Sequence, residues 1–295
     1  DGRDIGGLNE AQRVRLALDE YASRWAQQRE RACRVRRAAA APEPQLEATR
    51  ACLDARQRRA EVLADHLIAS PTAEVLERAG EAVTGLPTLE SCAAAMARGE
   101  ATTLAVDPQL RTRVLQATTR RSLGEYPSAR TLATEATELA LEPRAEALAY
   151  GELAEVEFAM HDREAARAAA RRALVAAQRC GADAVTAHAA SVLTWAETTP
   201  GTVDGARLWA DLALANATAS PRPGFVREVK MTLAGVYGTA GELDEALALH
   251  REVLAESHTP DARAVAATNA ASDFLRAGQI DEGMRLASEA VEAFT

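Results

Sequence analysis

The chain has 295 residues, a formal net charge of −9 and only 4% aromatic residues. Acidic and basic residues are interleaved and no basic run contains aromatic side chains, which argues against a nucleic-acid-binding protein. No stretch approaches the ~18–20 consecutive apolar residues that a membrane-spanning helix needs, so no membrane span is expected within this sequence. The alanine-rich composition favours helices that pack closely through small side chains.

Residues 1–98 are predicted to form a helical region without internal repeats. Its first helix ends before Pro42, which opens a tight connection to a second helix, so that the two form a long hairpin. The third helix is predicted to start at Ser70 and Pro71, with the serine as its cap and the proline in its first turn. A short fourth helix carries Cys92.

Two cysteines are spaced evenly about the hairpin connection. Cys33 lies nine residues before Pro42 and Cys52 eight residues after Pro44, so the two lie at about the same height if the helices are antiparallel. A disulfide is then geometrically feasible, and the alternative is a pair of buried thiols. No Cys-x-x-Cys occurs and no histidine accompanies the pair, so no metal site is expected.

A repeated pattern of a turn followed by an alanine-rich helix occupies residues 108–295. The first residues of successive turns are separated by 37, 40, 40 and 37 residues: Gly124, His161, Gly201, Gly241 and Gly278. A small residue follows each by five positions: Ala129, Ala166, Ala206, Ala246 and Gly283. Another small residue lies twelve positions before that one: Ala117, Ala154, Thr194, Ala234 and Ala271. This spacing lets antiparallel helices approach closely, and a period of this size predicts an all-α solenoid of about five helix pairs.

The last two units resemble the tetratricopeptide repeat (TPR). The small-aromatic-small-small signature is matched by Ala234, Tyr237, Ala246 and Val253, and again by Ala271, Phe274, Gly283 and Ala290. The first three units have charged residues in place of the aromatic one: Arg120, Glu157 and Glu197. A helix over Asp281–Phe294 is predicted to close the array, with Ala287 and Ala290 facing the preceding helix. A closing helix needs a polar outer face. That face is expected to carry Arg285, Glu289 and Glu292.

A constellation in the non-repeat region is more specific. It comprises Leu18-Asp19-Glu20-Tyr21, Trp25, Ala32-Cys33, Ala51-Cys52-Leu53, Arg56, Val75, Ala79, Leu86-Pro87 and Cys92. With the repeats, it resembles the segment that follows the kinase domain in bacterial serine/threonine protein kinases with C-terminal TPR arrays. The resemblance implies a regulatory or sensory region whose catalytic domain is absent from this sequence. It also implies a periplasmic location in which the paired cysteines are oxidised; a cytoplasmic location with Cys33 and Cys52 as thiols is the alternative.

No catalytic motif is recognised in the sequence. A kinase needs a glycine-rich loop, a strand lysine, His-Arg-Asp and Asp-Phe-Gly, whereas the single lysine, Lys230, lies in a predicted repeat helix. The carboxylates of Glu152 and Glu155 are expected on a solvated face, and His250 is expected to be a half-buried structural residue. We therefore expect no enzymatic activity, no cofactor and no metal.

The expected functional feature is a surface. In TPR-like arrays the first helix of each pair lines the concave face, and residues beside its small packing position point inward. By that offset the candidate binding residues are Arg121, Glu155, Phe158, His188, Ser191, Trp195, Met231 and Asn269. Aromatic residues and methionine are enriched where partners bind, and Asn269 stands where many TPR units hold a peptide backbone, although Trp195 has the alternative role of filling a gap between units. The sequence therefore predicts a non-catalytic protein- or peptide-binding module, with a self-associating scaffold as the alternative.

Overall fold

The computed structural model describes residues 10–38, 41–90, 92, 106–198, 203–220 and 224–293. Over these residues the backbone forms 13 α-helices and one short 3-10 helix, with no strand. The prediction of an all-α fold is confirmed. No helix in the described ranges is long and apolar enough to cross a membrane.

Internal contacts divide the chain into two units, one ending at Met160 and the other starting at His161. In the described part of the chain the first unit contains α1 (Glu10–Arg37), α2 (Glu43–Ala69), α3 (Ala73–Thr84), α4 (Pro108–Ser122), α5 (Tyr126–Glu138) and α6 (Pro143–Ala159). The second contains α7 (Arg163–Cys180), α8 (Asp183–Ala196), α9 (Asp204–Ala215), the 3-10 helix Ala217–Ala219, α10 (Phe225–Ala240), α11 (Leu243–Glu256), α12 (Pro260–Arg276) and α13 (Ile280–Ala293). The sequence-based domain boundary between residues 98 and 108 falls largely outside the described residues and stays a prediction.

Helices adjacent in the chain pack against each other within each unit. From α7 to α13 every helix contacts the next one, and α8 also contacts α10, which contacts α12. Helices α8, α10 and α12 of the second unit therefore lie side by side. In the first unit α4, α5 and α6 have the same arrangement, while α1, α2 and α3 contact one another, and α2 and α3 pack on α4.

The repeated turns share one backbone conformation. Gly124, Gly241 and Gly278 have φ angles of 78°, 88° and 76°. In each case the following N–H donates to a carbonyl five residues earlier, as in a Schellman motif. His161 has a φ of 57° at the corresponding position and is the only non-glycine residue in the described ranges with a positive φ. Gly201 lies outside the described residues, so the predicted turns are confirmed at the other four positions.

The small residues of the repeat lie at the helix contacts, as predicted. Eight of them are at most 1% exposed: Ala117, Ala129, Ala154, Ala166, Thr194, Ala206, Ala234 and Ala246. At Gly283 a methyl carbon would lie 2.7 Å from Leu275 Cγ and 2.8 Å from its Cδ2. Helices α12 and α13 therefore approach more closely there than any side chain at position 283 would allow.

In two of the repeats that lack the aromatic residue, an ion pair with an arginine occupies its place. Arg167 follows a buried alanine of α7, and its Nε lies 3.6 Å from the carboxylate of Glu197. Arg207, at the same position of the next unit, donates to the Tyr237 hydroxyl at 2.8 Å and lies over its ring. In the first unit Arg130 and Glu157 form the corresponding ion pair. Glu157 and Glu197, which occupy the aromatic position, are thus partners of an arginine from the preceding helix pair, whereas Arg120 lies 3.4 Å from Glu125.

The predicted disulfide between Cys33 and Cys52 is wrong. Cys52 is bonded to Cys92, with a Cα–Cα distance of 5.6 Å, and Cys33 is a free, exposed thiol. The prediction places the middle of the hairpin connection at Pro42–Pro44. In the structure α1 ends at Arg37 and α2 already begins at Glu43, so the middle of the connection lies a few residues earlier. Trp25, whose Nε1 donates to the Leu53 carbonyl at 2.8 Å, therefore lies level with Cys52. Eight helical residues, about 12 Å, separate Trp25 from Cys33, so Cys33 is too far along α1 to bond.

The ends of two predicted helices also need correction. The cap of α3 is Thr72, not Ser70: its hydroxyl accepts from the backbone N–H of Val75 at 3.3 Å. The first helix ends at Arg37 instead of continuing to residue 41. The predicted fourth helix falls mostly on residues 91 and 93–100, which lie outside the described residues.

The outer face of the last helix differs from the polar cap that was predicted. On its inner face Ala290 is buried and Ala287 packs against the core, as predicted, and Gly283 and Leu286 are buried beside them. The outer face includes Arg285, which bonds Glu282 and Glu289, but it also exposes three apolar side chains. Ile280, Met284 and Val291 are 55%, 56% and 62% exposed. Phe294 lies outside the described residues.

Candidate protein-binding surface

Five of the predicted binding residues belong to three neighbouring helices of the second unit. His188, Ser191 and Trp195 lie on α8, Met231 on α10 and Asn269 on α12. We call this set, together with Gly235 on α10 and Val265 on α12, the first-helix face. Since α8 contacts α10 and α10 contacts α12, these residues are carried by one row of helices.

Met231 and Asn269 are brought together on this face. The Asn269 side-chain amide lies 3.6 Å from the Met231 sulfur and donates to the Val265 carbonyl one turn earlier at 2.9 Å. Met231 also packs against the apolar core formed by α11, α12 and α13. The Met231 side chain is thus packed against the core on one side and partly exposed on the other. A flexible thioether in this position can adapt to the shape of a partner.

Gly235 leaves an open position beside Met231. It lies one helical turn further along α10 and is exposed. A methyl carbon placed on it would meet no atom within 4 Å. The first-helix face therefore has a position without a side chain one turn from Met231, and a side chain can be added there without a clash.

Trp195 is supported by the start of α7. The Arg163 guanidinium lies 5.0 Å from the centre of the indole ring, a cation–π distance. His161 approaches the same ring edge-on at 6.2 Å. The indole therefore has the packing role weighed from the sequence, and it is also partly exposed, so a ligand can contact its remaining surface.

His188 contacts the segment that precedes α10. Its Nε2 lies 2.8 Å from the Ser220 hydroxyl, and its ring lies 4.5 Å from that of Phe225. These contacts tie α8 to the segment that precedes α10 and to the first residue of α10. Ser191 is partly exposed one turn along α8.

The three candidates of the first unit include a buried polar cluster. Arg121 donates from Nε to Glu152 at 2.8 Å and lies 3.6 Å from the carboxylate of Glu155. Thr118 donates its hydroxyl to the other oxygen of Glu152, also at 2.8 Å. The expectation that Glu152 and Glu155 are solvated is wrong, since they are only 9% and 8% exposed. Phe158 is partly buried in the same helix.

A second buried polar pair lies behind the first-helix face. His250 is 1% exposed, so it is more buried than predicted, and its Nε2 lies 3.1 Å from Asp273 Oδ2. The other oxygen of Asp273 accepts from Arg276 at 3.1 Å. The carboxylate lies directly against Gly238 of α10. Sequence reasoning missed Asp273, because its partners lie on other helices or one turn away.

The single lysine is held in an ion pair. Lys230 Nζ lies 2.6 Å from Glu256 and 3.1 Å from Glu252. The hydrogen bond to Glu256 raises the pKa of Lys230, so the amine stays protonated. In the described part of the chain no group of three or more His, Cys, Asp or Glu side chains is arranged to hold a metal ion.

No protein-family model matches the chain, and no curated protein shows significant similarity to it.

Proposed function

We propose that this chain is a non-catalytic protein- or peptide-binding module built as a TPR-like α-solenoid. The observation that supports this most directly is the first-helix face. Met231 and Asn269 are in contact across two neighbouring helices, and Gly235 leaves an open position beside them. The side-by-side packing of α8, α10 and α12 and the left-handed turns at Gly124, His161, Gly241 and Gly278 support the solenoid.

The chemistry of the face favours an extended peptide with apolar side chains. Met231, the partly exposed indole of Trp195 and Val265, which is 41% exposed, offer apolar contacts of the kind enriched at interfaces. The amide nitrogen of Asn269 donates to both Met231 and the Val265 carbonyl, so its side-chain oxygen is the group that would accept from a peptide N–H.

The test uses two glycines of one unit. Peptides are selected from a displayed random library against the wild-type protein, and their affinities are measured by fluorescence anisotropy. Gly235→Leu fills the open position on the face, whereas Gly205→Leu adds the same side chain on α9, where a methyl carbon also meets nothing within 4 Å. Both changes favour helix, so both variants should fold. We expect Gly235→Leu to weaken binding at least tenfold and Gly205→Leu to leave it unchanged. Equal affinities of the two variants, or a selection without binders, would refute the proposal.

We further propose that the module is the regulatory region of a bacterial serine/threonine kinase signalling protein. Support comes from residues of the non-repeat region on which the kinase resemblance rests, since several of them pack around one disulfide. Leu53 is buried with Cys52 and Cys92, and Tyr21 and Trp25 pack against them. Cys33 departs from this arrangement because it is free. A kinase motif set encoded upstream of this sequence would support the proposal, and a different upstream domain would refute it.

The bonded cysteine pair supports a location in an oxidising compartment, since such bonds persist there and are rare in the cytosol. Alkylation of the protein in intact cells, followed by mass spectrometry, tests this. Two alkylated thiols are expected, and four would refute it.

The alternative function, a self-associating scaffold, is favoured by a separate observation: the exposed apolar side chains of α13.

A further inference from the structure

Helix α13 is apolar on two sides. Gly283, Leu286 and Ala290 are buried on its inner side. On its outer side Ile280, Met284 and Val291 are all more than half exposed. An ordinary surface helix has one apolar stripe that faces the core of its own protein. The second stripe has no such role in the described part of the chain.

The outer stripe has the spacing of a coiled-coil seam. Ile280, Met284, Ala287 and Val291 follow one another at intervals of four, three and four residues, the alternation that places side chains along a seam between two helices. We define these four residues as the α13 seam. Ala287 is small and partly buried, so the seam contains a shallow position between Met284 and Val291.

The α13 seam is complementary to itself in an antiparallel arrangement. With a two-fold axis between positions 284 and 287, Met284 of one copy lies opposite Ala287 of the other, so that a long side chain faces the shallow position. Ile280 likewise lies opposite Val291, and each contact occurs twice, as in an isologous interface.

The charges beside the seam do not oppose this arrangement. Asp281 flanks it and lies opposite Ser288 of the second copy, so no two carboxylates meet directly. Arg285 is already neutralised by Glu282 and Glu289 of its own helix.

We propose that two copies of this chain associate through the α13 seam as an antiparallel helix pair. Three half-exposed side chains per copy are a small patch compared with the ~1,200–2,000 Å² buried in stable interfaces. The dimer is therefore weak and forms only at high local concentration. The proposal does not depend on ligand binding at the first-helix face.

Sedimentation equilibrium of the purified chain between about 5 and about 500 μM tests the association. We expect the mean mass to rise towards that of a dimer with concentration. Met284→Glu places a charge at the centre of the seam and should weaken dimerisation at least tenfold. The matched control is Leu208→Glu, because Leu208 is an apolar residue on α9 with a similar exposure of 64%. Both variants should keep the helical circular dichroism of the wild type.

Cross-linking tests the orientation. In a background with both free cysteines replaced, Cys33→Ser and Cys180→Ser, chains with Met284→Cys are mixed with chains with Ala287→Cys and oxidised mildly. The antiparallel pair should give the mixed dimer in preference to either homodimer. A wild-type chain that stays monomeric throughout, an unaltered dimer in Met284→Glu, or preferential Met284→Cys homodimers would each overturn the proposal. Gly235→Leu should dimerise like the wild type, which separates failure here from failure at the first-helix face.

Discussion

Replacing Gly238 by alanine should destabilise the second unit, although the same change one turn earlier should stabilise it. A methyl carbon on Gly238 would lie 2.6 Å from Asp273 Oδ1 and 2.7 Å from its Cγ, and closer still to Oδ2. The carboxylate cannot simply move away, because it is 6% exposed and bonds both His250 and Arg276. Gly235 is in the same helix, and a methyl group there meets nothing within 4 Å.

The expected magnitudes follow from three contributions. Alanine in a helix interior is favoured over glycine by about 1 kcal/mol, and both variants gain this. Overpacking a tight contact costs about 1–3 kcal/mol. If the carboxylate moves, His250 also loses a buried hydrogen bond, which costs about 1–3 kcal/mol. Gly235→Ala should therefore stabilise by about 1 kcal/mol, and Gly238→Ala should destabilise by about 1–5 kcal/mol.

Urea denaturation followed by far-ultraviolet circular dichroism measures both changes. Asp273→Ala is the third variant to be measured, because removing the carboxylate also removes its clash with a methyl group at position 238. The double variant of Gly238 and Asp273 should then be no less stable than Asp273→Ala alone, a departure from additivity expected for neighbouring residues. If Gly238→Ala is as stable as Gly235→Ala, the close packing of α10 against Asp273 is wrong.

Three further predictions concern the first unit. Replacing both Cys52 and Cys92 by alanine should lower the free energy of unfolding by about 4 kcal/mol in urea, because the bond joins positions with a sequence separation of 40. Arg130→Met leaves the carboxylate of Glu157, 7% exposed, without its ion pair, and should cost about 3 kcal/mol in the same assay. Glu90→Gln should lower the free energy of unfolding near pH 7 but not near pH 2, because a hydrogen bond donated by Arg24 lowers the pKa of Glu90. Its stabilisation is present above the unfolded pKa of about 4.3 and is lost as the pH falls through the folded pKa.

Two of these predictions have a matched control variant, and the third is checked by comparing two pH values. Cys33→Ser removes an exposed free thiol and should change stability by no more than ~0.5 kcal/mol. Arg15→Met removes the ion pair with Asp19, whose side chains are 83% and 67% exposed, and should likewise have little effect. Losses as large in these controls as in the buried variants would contradict the assignments. A Glu90→Gln effect that is the same at both pH values would show that the carboxylate charge does not matter.

The sequence by itself determined the helices, the repeated turns and the residues at close helix contacts. These follow from local rules. Gly124 and Gly241 follow from the repeat period, and they suit their turns because a helix that ends in a left-handed residue favours glycine at that position. Ala129 and Ala246 were recognised because a fixed spacing of small residues marks where two helices approach. His161 was assigned to its turn by the same period, although its positive φ is visible only in the structure.

Only the tertiary structure decided which side chains meet across helices. Cys52 bonds Cys92 instead of Cys33 because the register of the hairpin depends on where α2 begins, and a shift of a few residues moves a side chain by several ångströms. Glu152 is buried instead of solvated because Arg121, 31 positions away, bonds it. In each case the partner is distant in the chain, and helical periodicity carries no information about the register between helices.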